Sequence, residues 1–512
     1  MPQKTVLNLP INRVEGDLNV RIELDDGHVA DAWCSGTMFR GFEQILKGRG
    51  ALDGLVITPR VCGICSTAHL TAASRALDAI AGVEIPDNAL RLRNVALMVE
   101  IFQSDMRHGF LTFMADFANA AYREHSLFEE SVRRYEPFKG QSVTETVRQT
   151  KKVLEIVAIL GGQWPHSSYM VPGGVVSVPQ QNDILQCLYL LRQYRQWYET
   201  RVLGCEIACW NEIRSASDLD VWLTSREEHR QGEVGFFVRF AEEAGLKTIG
   251  RGCGNFISFG AFNLPEETRV KPGSEGERRL IPAGFSHGTT VEAFDAEKIA
   301  EHVSHSWFRD NGNAQHPYDA ETRPYASGFE GRKYSWAKAP RYGGLPAETG
   351  PLAEAVLAGR PLFVDLVGKS GPNVLVRELA RLTRPAVLLE AAEAWLREMA
   401  EVDGSYYNSP GEIVEGVGAG MTQVTRGALG HWVKIEDRKI VNYQIITPTA
   451  WHASPRDDNG VRGVIEEALV STPVEDDQNP IAVGHVIRSF DPCLVCTVHS
   501  LAKAGRPARI QM

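Results

Sequence analysis

The segments RVCGICSTAH, residues 60–69, and DPCLVCTVH, residues 491–499, lie near opposite ends of the chain. Each contains two cysteines separated by two residues, Cys62/Cys65 and Cys493/Cys496. This spacing lets two sulfurs turn toward one ion, and four thiolates form a soft donor set that suits zinc, iron–sulfur or nickel. If both pairs serve one metal centre, the ends of the chain must meet. We therefore expect one interlocked domain across residues 1–499.

The distance between the two pairs limits the kinds of metal site. Cysteine spacing alone favours structural zinc. However, Cys65 and Cys493 lie roughly 430 positions apart, whereas the pairs of a zinc ribbon are separated by ~15 to 20 residues. A single iron–sulfur cluster could also use four such thiolates. The residues that flank the cysteines have to distinguish these alternatives.

Composition excludes several classes of function. The chain has 512 residues, 43% of them hydrophobic, and can bury a large core. Its formal charge of -10 gives no support for binding to nucleic acid or to an anionic membrane. The N-terminus carries no charged-then-apolar leader, and no apolar run approaches the ~20 residues of a membrane helix. We therefore expect the chain itself to be a soluble protein made in the cytoplasm.

Nine cysteines in a chain of this length are too few for a disulfide scaffold. Four of them form the two pairs. We expect the others to be small, buried apolar side chains: Cys34, Cys187, Cys205, Cys209 and Cys253.

Hydrophobic periodicity predicts a helical centre. Apolar residues recur at three- and four-residue spacing from Asn88 to Tyr122, from Val143 to Leu160 and from Asn182 to Ile213. A fourth stretch, from Asn373 to Val402, is interrupted at Pro385, where a helix is expected to break. Long helices without repeats predict a bundle as the central mass.

Two alternating segments predict β-hairpins outside this bundle. One turns at Asp26-Gly27 and the other at Asp437-Arg438. Residues 264–350 are rich in Gly, Pro and charge, which indicates irregular structure or short strands. The predicted fold is therefore α+β, mostly α, with a central bundle of long helices and peripheral β-hairpins.

The flanks of the cysteine pairs carry a family resemblance. Arg-x-Cys-Gly-x-Cys-x-x-x-His and Asp-Pro-Cys-x-x-Cys-x-x-His, at opposite ends, resemble the paired signatures of nickel–iron hydrogenase large subunits. Ordered motifs compound, because each one alone is only a hypothesis. Further blocks occur in the order that this family shows: Arg13-Val-Glu15-Gly16, SGTMFRGFE ending at Glu43, MVPGGV at 170–175, RGALGHW at 426–432 and TPTAW at 447–451. Within this family the chain most resembles the uptake and hydrogen-sensing members.

The resemblance implies a complete set of metal ligands. Cys62 and Cys493 would be terminal ligands of nickel, while Cys65 and Cys496 would bridge nickel to an iron that carries one CO and two cyanides. A magnesium ion would be held near the C-terminus by the Glu43 carboxylate, the Ile445 carbonyl and His499. Carboxylate and carbonyl oxygens are usual ligands for this hard cation, and a histidine is less so.

The resemblance also implies residues that act beside the metals. Glu15 would take a proton from Cys493, as a general base near a leaving proton must. Arg426 would lie over the bimetallic site, with Asp105 and Asp491 as charge partners. The plainer alternatives are a solvated or capping role for Glu15 and a structural ion pair for Arg426.

Other residues would shape the pocket of the iron. His69 is expected to donate to a bridging cysteine, Leu429 to form the wall beside CO, and Thr449 to donate to a cyanide. Thr425 stands where many relatives carry proline, and Thr447 stands where many carry an aliphatic residue. The iron pocket is therefore expected to be more polar than usual.

Function follows from the same resemblance. It implies oxidation of hydrogen, H2 ⇌ 2H+ + 2e−, with electrons leaving through the iron–sulfur clusters of a small subunit. Nickel-insertion factors and a maturation endopeptidase would act on the chain, the latter removing residues 500–512.

A regulatory hydrogen sensor with the same site is the alternative function. Ile64 and Phe113 favour it because sensing members carry bulky side chains there, although core packing explains both residues equally well. The C-terminal tail, which sensors commonly lack, favours the enzyme. A non-catalytic relative in a respiratory complex would lack the four cysteines. A zinc-stapled interaction protein would keep them without nickel.

Overall fold

The computed structural model describes residues 5–264, 279–310, 312–328 and 331–497, with the backbone alone at 496 and 497. The α-helices are α1 Phe42–Leu46, α2 Gly54–Ile57, α3 Ser66–Ala81, α4 Asp87–Arg107, α5 Phe128–Tyr135, α6 Gln141–Gly161, α7 Gln181–Trp197, α8 Ile207–Asn211, α9 Ala216–Ser225, α10 Glu227–Gln231, α11 Glu233–Glu243, α12 Pro351–Leu357, α13 Pro361–Ser370, α14 Val374–Thr383, α15 Pro385–Glu401, α16 Pro448–His452, α17 Val464–Leu469, α18 Ile481–Ser489 and α19 Leu494–Thr497. The strands are β1 Thr5–Ile11, β2 Leu18–Asp25, β3 His28–Gly36, β4 Met170–Val171, β5 Gly174–Val175, β6 Asn255–Asn263, β7 Arg279–His287, β8 Thr290–Glu292, β9 Ile299–His302, β10 Ala339–Tyr342, β11 Gly416–Val424, β12 Gly427–Glu436 and β13 Lys439–Ile446.

Four long helices form the centre of the fold. Helix α4 packs against α6 and α15, and α7 packs against the same two helices. Nearly all of α4 is buried, which explains why apolar residues run along more than one of its faces. The predicted α+β architecture with a central helical bundle is confirmed.

Two of the predicted helices end earlier than their apolar pattern suggested. Helix α4 stops at Arg107 and continues as a π-helical turn, His108–Phe113, followed by a 3-10 turn, Met114–Ala118. Helix α7 likewise passes into a π-helical turn, Tyr198–Leu203, which ends at a left-handed glycine. A π-turn shifts the register by one residue without changing which residue types are buried, so periodicity does not reveal it.

Three-stranded antiparallel sheets contain both predicted hairpins. Strands β2 and β3 turn at Asp26-Gly27, and β1, which was not predicted, pairs with β2. Strands β12 and β13 turn at Asp437-Arg438, and β11, also not predicted, pairs with β12. Asp437 and Arg438 both have positive φ, as tight hairpin turns require. Strands β6, β7 and β8 form a third sheet.

Close backbone approach joins helix α3 to strand β11. A Cβ atom on Gly420 would lie 1.8 Å from the carbonyl oxygen of Ala72, so only glycine permits this contact. The helix that follows the first cysteine pair is thereby held against the sheet that carries residue 426. This contact brings two parts of the candidate site together.

The two ends of the described chain meet in one hydrophobic core, whose buried residues run from Leu18 to Leu494. Glu15 forms a parallel β-bridge with Cys493, and the Leu494 amide donates to the Glu15 carbonyl at 2.6 Å. Gly16 has a φ of 84°, and a Cβ there would lie 2.9 Å from the Val495 nitrogen. Among the described residues, no helix combines the length and the hydrophobicity needed to cross a bilayer.

Candidate metal centre

Three cysteines from opposite ends of the chain come together in the core. The sulfurs of Cys62 and Cys493 are 3.7 Å apart, and those of Cys62, Cys65 and Cys493 all lie within 4.8 Å of one another. All three side chains are buried. Cys65 directly precedes α3 and Cys493 directly precedes α19, so each helix start fixes one sulfur. Cys496 lies in α19, and its side chain is outside the described residues.

One guanidinium group ties the two cysteine segments together. Arg40 donates to the carbonyl of Val61, next to Cys62, and to the carbonyl of Val495 at 2.6 Å. The backbone amide of Cys493 donates to the hydroxyl of Thr449 at 2.9 Å. These hydrogen bonds hold the backbone around the cysteines and do not involve the cysteine sulfurs.

A buried glutamate, which the sequence analysis did not identify, holds the start of α3. Glu100 accepts from the amides of Thr67 and Ala68 at 2.8 and 2.9 Å and from the indole of Trp164 at 3.3 Å. Burial raises the pKa of Glu100 to about 7. In the sequence, the signal for this role of Glu100 was an acidic residue among the apolar residues of α4.

Arg426 lies between β11 and β12 with Asp491 as its charge partner. Its Nε donates to the Asp491 carbonyl at 2.9 Å and lies 3.1 Å from the carboxylate. Its Nη1 is buried and has no hydrogen-bond partner among the described residues. A buried guanidinium with an unused donor is suited to an acceptor that is not part of the protein.

A histidine completes the charge network beside this arginine. His108, the first residue of the π-turn, lies with its Nδ1 3.0 Å from the Asp491 carboxylate. Burial raises the pKa of Asp491, but Arg426 and His108 outweigh burial and hold it well below its usual range. The sequence analysis did not identify His108, because its role depends on where the α-helix ends.

The structure corrects the expected partner of Asp105. Its carboxylate binds the guanidinium of Arg384 at 2.6 and 2.8 Å, not that of Arg426. Arg384 in turn donates to the Thr425 carbonyl at 2.5 Å. Asp105 therefore reaches Arg426 only through Arg384 and the backbone of the preceding residue.

A cavity of about 10 Å³ adjoins Cys65, and its wall contains several of the predicted residues. The residues that line it are Cys65, Ala68, His69, Val424, Thr425, Arg426, Leu429, Pro448 and Thr449. The hydroxyl of Thr425 is buried there without a hydrogen-bond partner among the described residues. Thr447 is not part of this wall, and its hydroxyl accepts from the Ala450 amide at the start of α16.

His69 belongs to a chain of buried rings. Its Nδ1 lies 3.1 Å from Nε2 of His431, whose Nδ1 lies 2.8 Å from the hydroxyl of Tyr443. Burial lowers the pKa of His69 to about 4, so the ring is neutral at physiological pH. The contact with His431 holds the neutral ring in place, and either nitrogen of this pair can donate the shared proton.

Glu43 lies in a second polar cluster beside α16. Its carboxylate accepts from the Ile445 amide at 2.9 Å, from the Thr322 hydroxyl, and from Lys338 at 3.2 Å. The Lys338 ammonium also lies 3.3 Å from Glu301 and 2.8 Å from the amide oxygen of Gln444. Converging oxygens of this kind suit a hard cation such as magnesium. The third predicted ligand, His499, lies outside the described residues.

Among the predicted site residues whose side chains the structure describes, Glu15 differs because it is exposed. Burial of part of the side chain raises its pKa, and Cys62 raises it further, while Arg426 and Arg40 lower it. An exposed carboxylate beside a buried cysteine lies where a proton could pass between core and surface.

Comparison with known proteins identifies the family. The sequence profile of the family described as nickel-dependent hydrogenase matches residues 40–123 and 237–499. The chain belongs to this family. The large subunit of the periplasmic [NiFeSe] hydrogenase of Desulfomicrobium baculatum is 33% identical, over 96% of this chain and 94% of that protein. The uptake hydrogenase large subunit of Rhodobacter capsulatus is 28% identical, over 98% of this chain and 96% of that protein.

Solved structures give the same result. The Ni-Fe-Se hydrogenase of D. vulgaris Hildenborough matches with a TM-score of 0.80 and 30% identity, covering 97% of this chain and 100% of that one. The chain is thus a nickel–iron hydrogenase large subunit, which makes it an oxidoreductase. The present chain has cysteine at all four positions of the two metal-binding motifs, 62, 65, 493 and 496.

The described residues fit a nickel–iron group. Three buried sulfurs within 4.8 Å form a soft donor set. Arg426 and Thr425, each with a buried donor that has no partner among the described residues, line the same cavity as Cys65, and such donors would suit acceptor ligands on an iron. Phe113, by contrast, packs among the rings of Phe117 and His485 at 5.9 and 5.2 Å, which favours its interpretation as a core residue.

Proposed function

We propose that this hydrogenase oxidises molecular hydrogen, H2 ⇌ 2H+ + 2e−, at a nickel–iron centre bound by Cys62, Cys65, Cys493 and Cys496. The observation that carries the proposal is the approach of Cys62 and Cys65 to Cys493. These residues come from opposite ends of the sequence. A local zinc site is built from cysteine pairs that lie close together in the sequence, so it would not require this contact. A relative named as an uptake hydrogenase supports the direction of the reaction.

The bound metals would supply the heterolytic cleavage of hydrogen, and the residues of the chain would handle the proton and the charge. Cys62 and Cys493 are assigned as terminal nickel ligands, and Cys65 and Cys496 as bridges to iron. The Cys493 sulfur would take the proton and pass it to Glu15. Cys493 is fully buried and Glu15 is exposed, and their backbones are bridged, so this step moves a proton from core to surface.

Polar groups around the cavity would hold the ligands of the iron. Arg426 Nη1 and the hydroxyls of Thr425 and Thr449 would donate to cyanides, while Leu429 would form the apolar wall beside CO. Asp491 and His108 would position Arg426. Because these donors are already ordered by the fold, they need no reorganisation when the ligands bind.

Magnesium would bind beside Glu43, with the Ile445 carbonyl and His499 as further ligands. Glu43, Glu301 and Gln444 supply oxygen donors around one buried ammonium, that of Lys338. This surplus of acceptors supports a cation site.

Electrons would leave through an iron–sulfur small subunit. Among the cysteines with described side chains, no four-thiol cluster lies outside the candidate centre, so the chain would depend on a partner for electron transfer. Nickel-insertion factors would load the centre, and an endopeptidase would then remove residues 500–512. The family match ends at residue 499, which agrees with this boundary. Synthesis in the cytoplasm, with membrane attachment through partners, completes the proposal.

Hydrogen-dependent reduction of an artificial electron acceptor by the purified complex tests this function. We expect sustained turnover that disappears when nickel is withheld during growth. A nickel-loaded complex that exchanges H2 with D2O but reduces no acceptor would contradict the enzyme and favour the sensor. Intact mass tests the tail, because an active chain that still ends at Met512 is incompatible with processing.

A further inference from the structure

A second group of metal-binding side chains lies away from the candidate metal centre. One ligand atom each of Cys205, Cys209 and His229 lies within 4.8 Å of the others. Cys205 precedes α8, Cys209 lies within α8, and His229 lies within α10. The cysteine side chains are partly buried and His229 is 3% exposed.

Glycine brings these two short helices together. Gly204 has a φ of 76°, and a Cβ there would lie 2.1 Å from the Glu228 carbonyl oxygen and 3.2 Å from the Cα of His229. A side chain at residue 204 would therefore push the cysteine loop away from α10. The approach of thiols and imidazole is built into the backbone.

The imidazole of His229 is oriented as in many metal sites. Its Nδ1 lies 2.8 Å from the carbonyl oxygen of Trp222, which can only accept, so Nδ1 carries the proton. Nε2 then has a free lone pair, and it is buried without a hydrogen-bond partner among the described residues. Histidines that bind metals commonly donate their other nitrogen to a backbone carbonyl. The Trp222 ring stacks on the imidazole at 4.8 Å and fixes its plane.

We propose that Cys205, Cys209 and His229 bind a zinc ion, with water in the fourth position. Two thiolates and one imidazole are a usual zinc set, and three protein ligands leave one tetrahedral position for solvent, which the partial exposure of the cysteines permits. An iron–sulfur cluster would ordinarily need four thiolates. A disulfide would leave the lone pair of His229 Nε2 without a partner.

Zinc binding at this site releases protons. Burial raises the pKa of the Cys205 thiol to about 12, so without a metal it stays protonated. Zinc would displace one proton from each cysteine, and the two thiolates would then neutralise the charge of the ion. Bound zinc would fasten α8 to α10 independently of the hydrogenase centre.

Zinc content per chain, measured by elemental analysis of the anaerobically purified complex, tests the proposal. We expect about one zinc per chain in the wild type and in Cys253→Ser, a partly buried cysteine outside the cluster. Cys205→Ser/Cys209→Ser and His229→Gln should each lose it, while nickel content and hydrogen oxidation, measured on the same samples, show that both variants fold.

Three results would overturn the proposal. The first is a wild-type complex that holds no zinc and takes up none when zinc chloride is added in equimolar amount. The second is equal zinc in wild type and both cluster variants. The third is a Cys205–Cys209 disulfide, detected as resistance of both thiols to alkylation before reduction.

Discussion

The two thiol clusters of this hydrogenase use similar donors in different surroundings. Cys62, Cys65 and Cys493 come from opposite ends of the chain, are buried, and lie beside the Arg426–Asp491 pair. The second cluster is local, partly exposed and packed against aromatic rings. Charged groups with unused donors suit a centre whose ligands and protons change during reaction, whereas stacked rings suit a static ion. The residues around the metal ligands, more than the ligands themselves, therefore distinguish a reactive metal centre from a structural metal site.

Removal of a sulfur from the first cluster should have the largest effect. Cys62→Ser is expected to abolish nickel retention and to lower hydrogen oxidation by more than about 100-fold, beyond the loss typical of outer-shell partners. Nickel analysis and hydrogen-dependent dye reduction measure both. Cys187→Ser, at a buried cysteine in α7, is the matched control and should keep nickel and activity. Full activity in Cys62→Ser would disprove the ligand assignment.

Glu15→Gln should separate proton transfer from metal binding. We expect activity to fall by about 10² to 10⁴-fold, the range for a lost general base, with nickel content unchanged. Because the raised pKa of Glu15 leaves it protonated over a wider range at low pH, wild-type activity should fall as pH drops through that pKa. The variant should lack this acid limb. Glu23→Gln in β2 is the control, and a retained acid limb in Glu15→Gln would rule out this residue as the acceptor.

Arg426→Lys tests whether the charged network acts on the centre. A lysine retains the charge but loses the fork that reaches both Asp491 and the cavity, so we expect a loss of about 10- to 100-fold. Cyanide stretching frequencies should shift in the infrared spectrum. Arg438→Lys, in an exposed hairpin turn paired with Glu412, should change neither. Unchanged frequencies in Arg426→Lys would argue for a purely structural ion pair.

Thr425→Val should have the smallest effect. Its hydroxyl has no hydrogen-bond partner among the described residues, so the substitution removes little except a donor to the cavity. We expect a change in activity of less than about 10-fold and a shift in one cyanide band, since one neutral hydrogen bond contributes about 1 kcal/mol. Thr422→Val, in β11 just before the turn that carries Thr425, is the control. An unshifted spectrum would remove Thr425 from the iron pocket.

The sequence predicted the first cluster far better than the second. Flanking motifs identified the positions of Cys62 and Cys493, because those motifs combine metal ligands with the residues around them. Cys205 and Cys209 lack such flanks, and their helical spacing in an apolar segment indicated plain burial. Only the turn at Gly204 brings them to His229. Local spacing alone does not predict that contact.

Buried charge pairs were the other part that the sequence could not predict. Asp105 was expected beside Arg426, yet it binds Arg384, 279 positions away. Both arginines are buried and basic, so residue type does not distinguish them. His108 was missed for a related reason, since the π-turn that directs it to Asp491 leaves no mark in the apolar pattern.

Infrared spectroscopy of the purified, mature complex tests the central claim most directly. Metal-bound CO and cyanide absorb between the protein and solvent bands, where the polypeptide contributes little. A centre bound by the two cysteine pairs should give one CO band and two cyanide bands in the wild type, all absent from Cys62→Ser. A nickel-containing mature complex without these bands would contradict the nickel–iron centre.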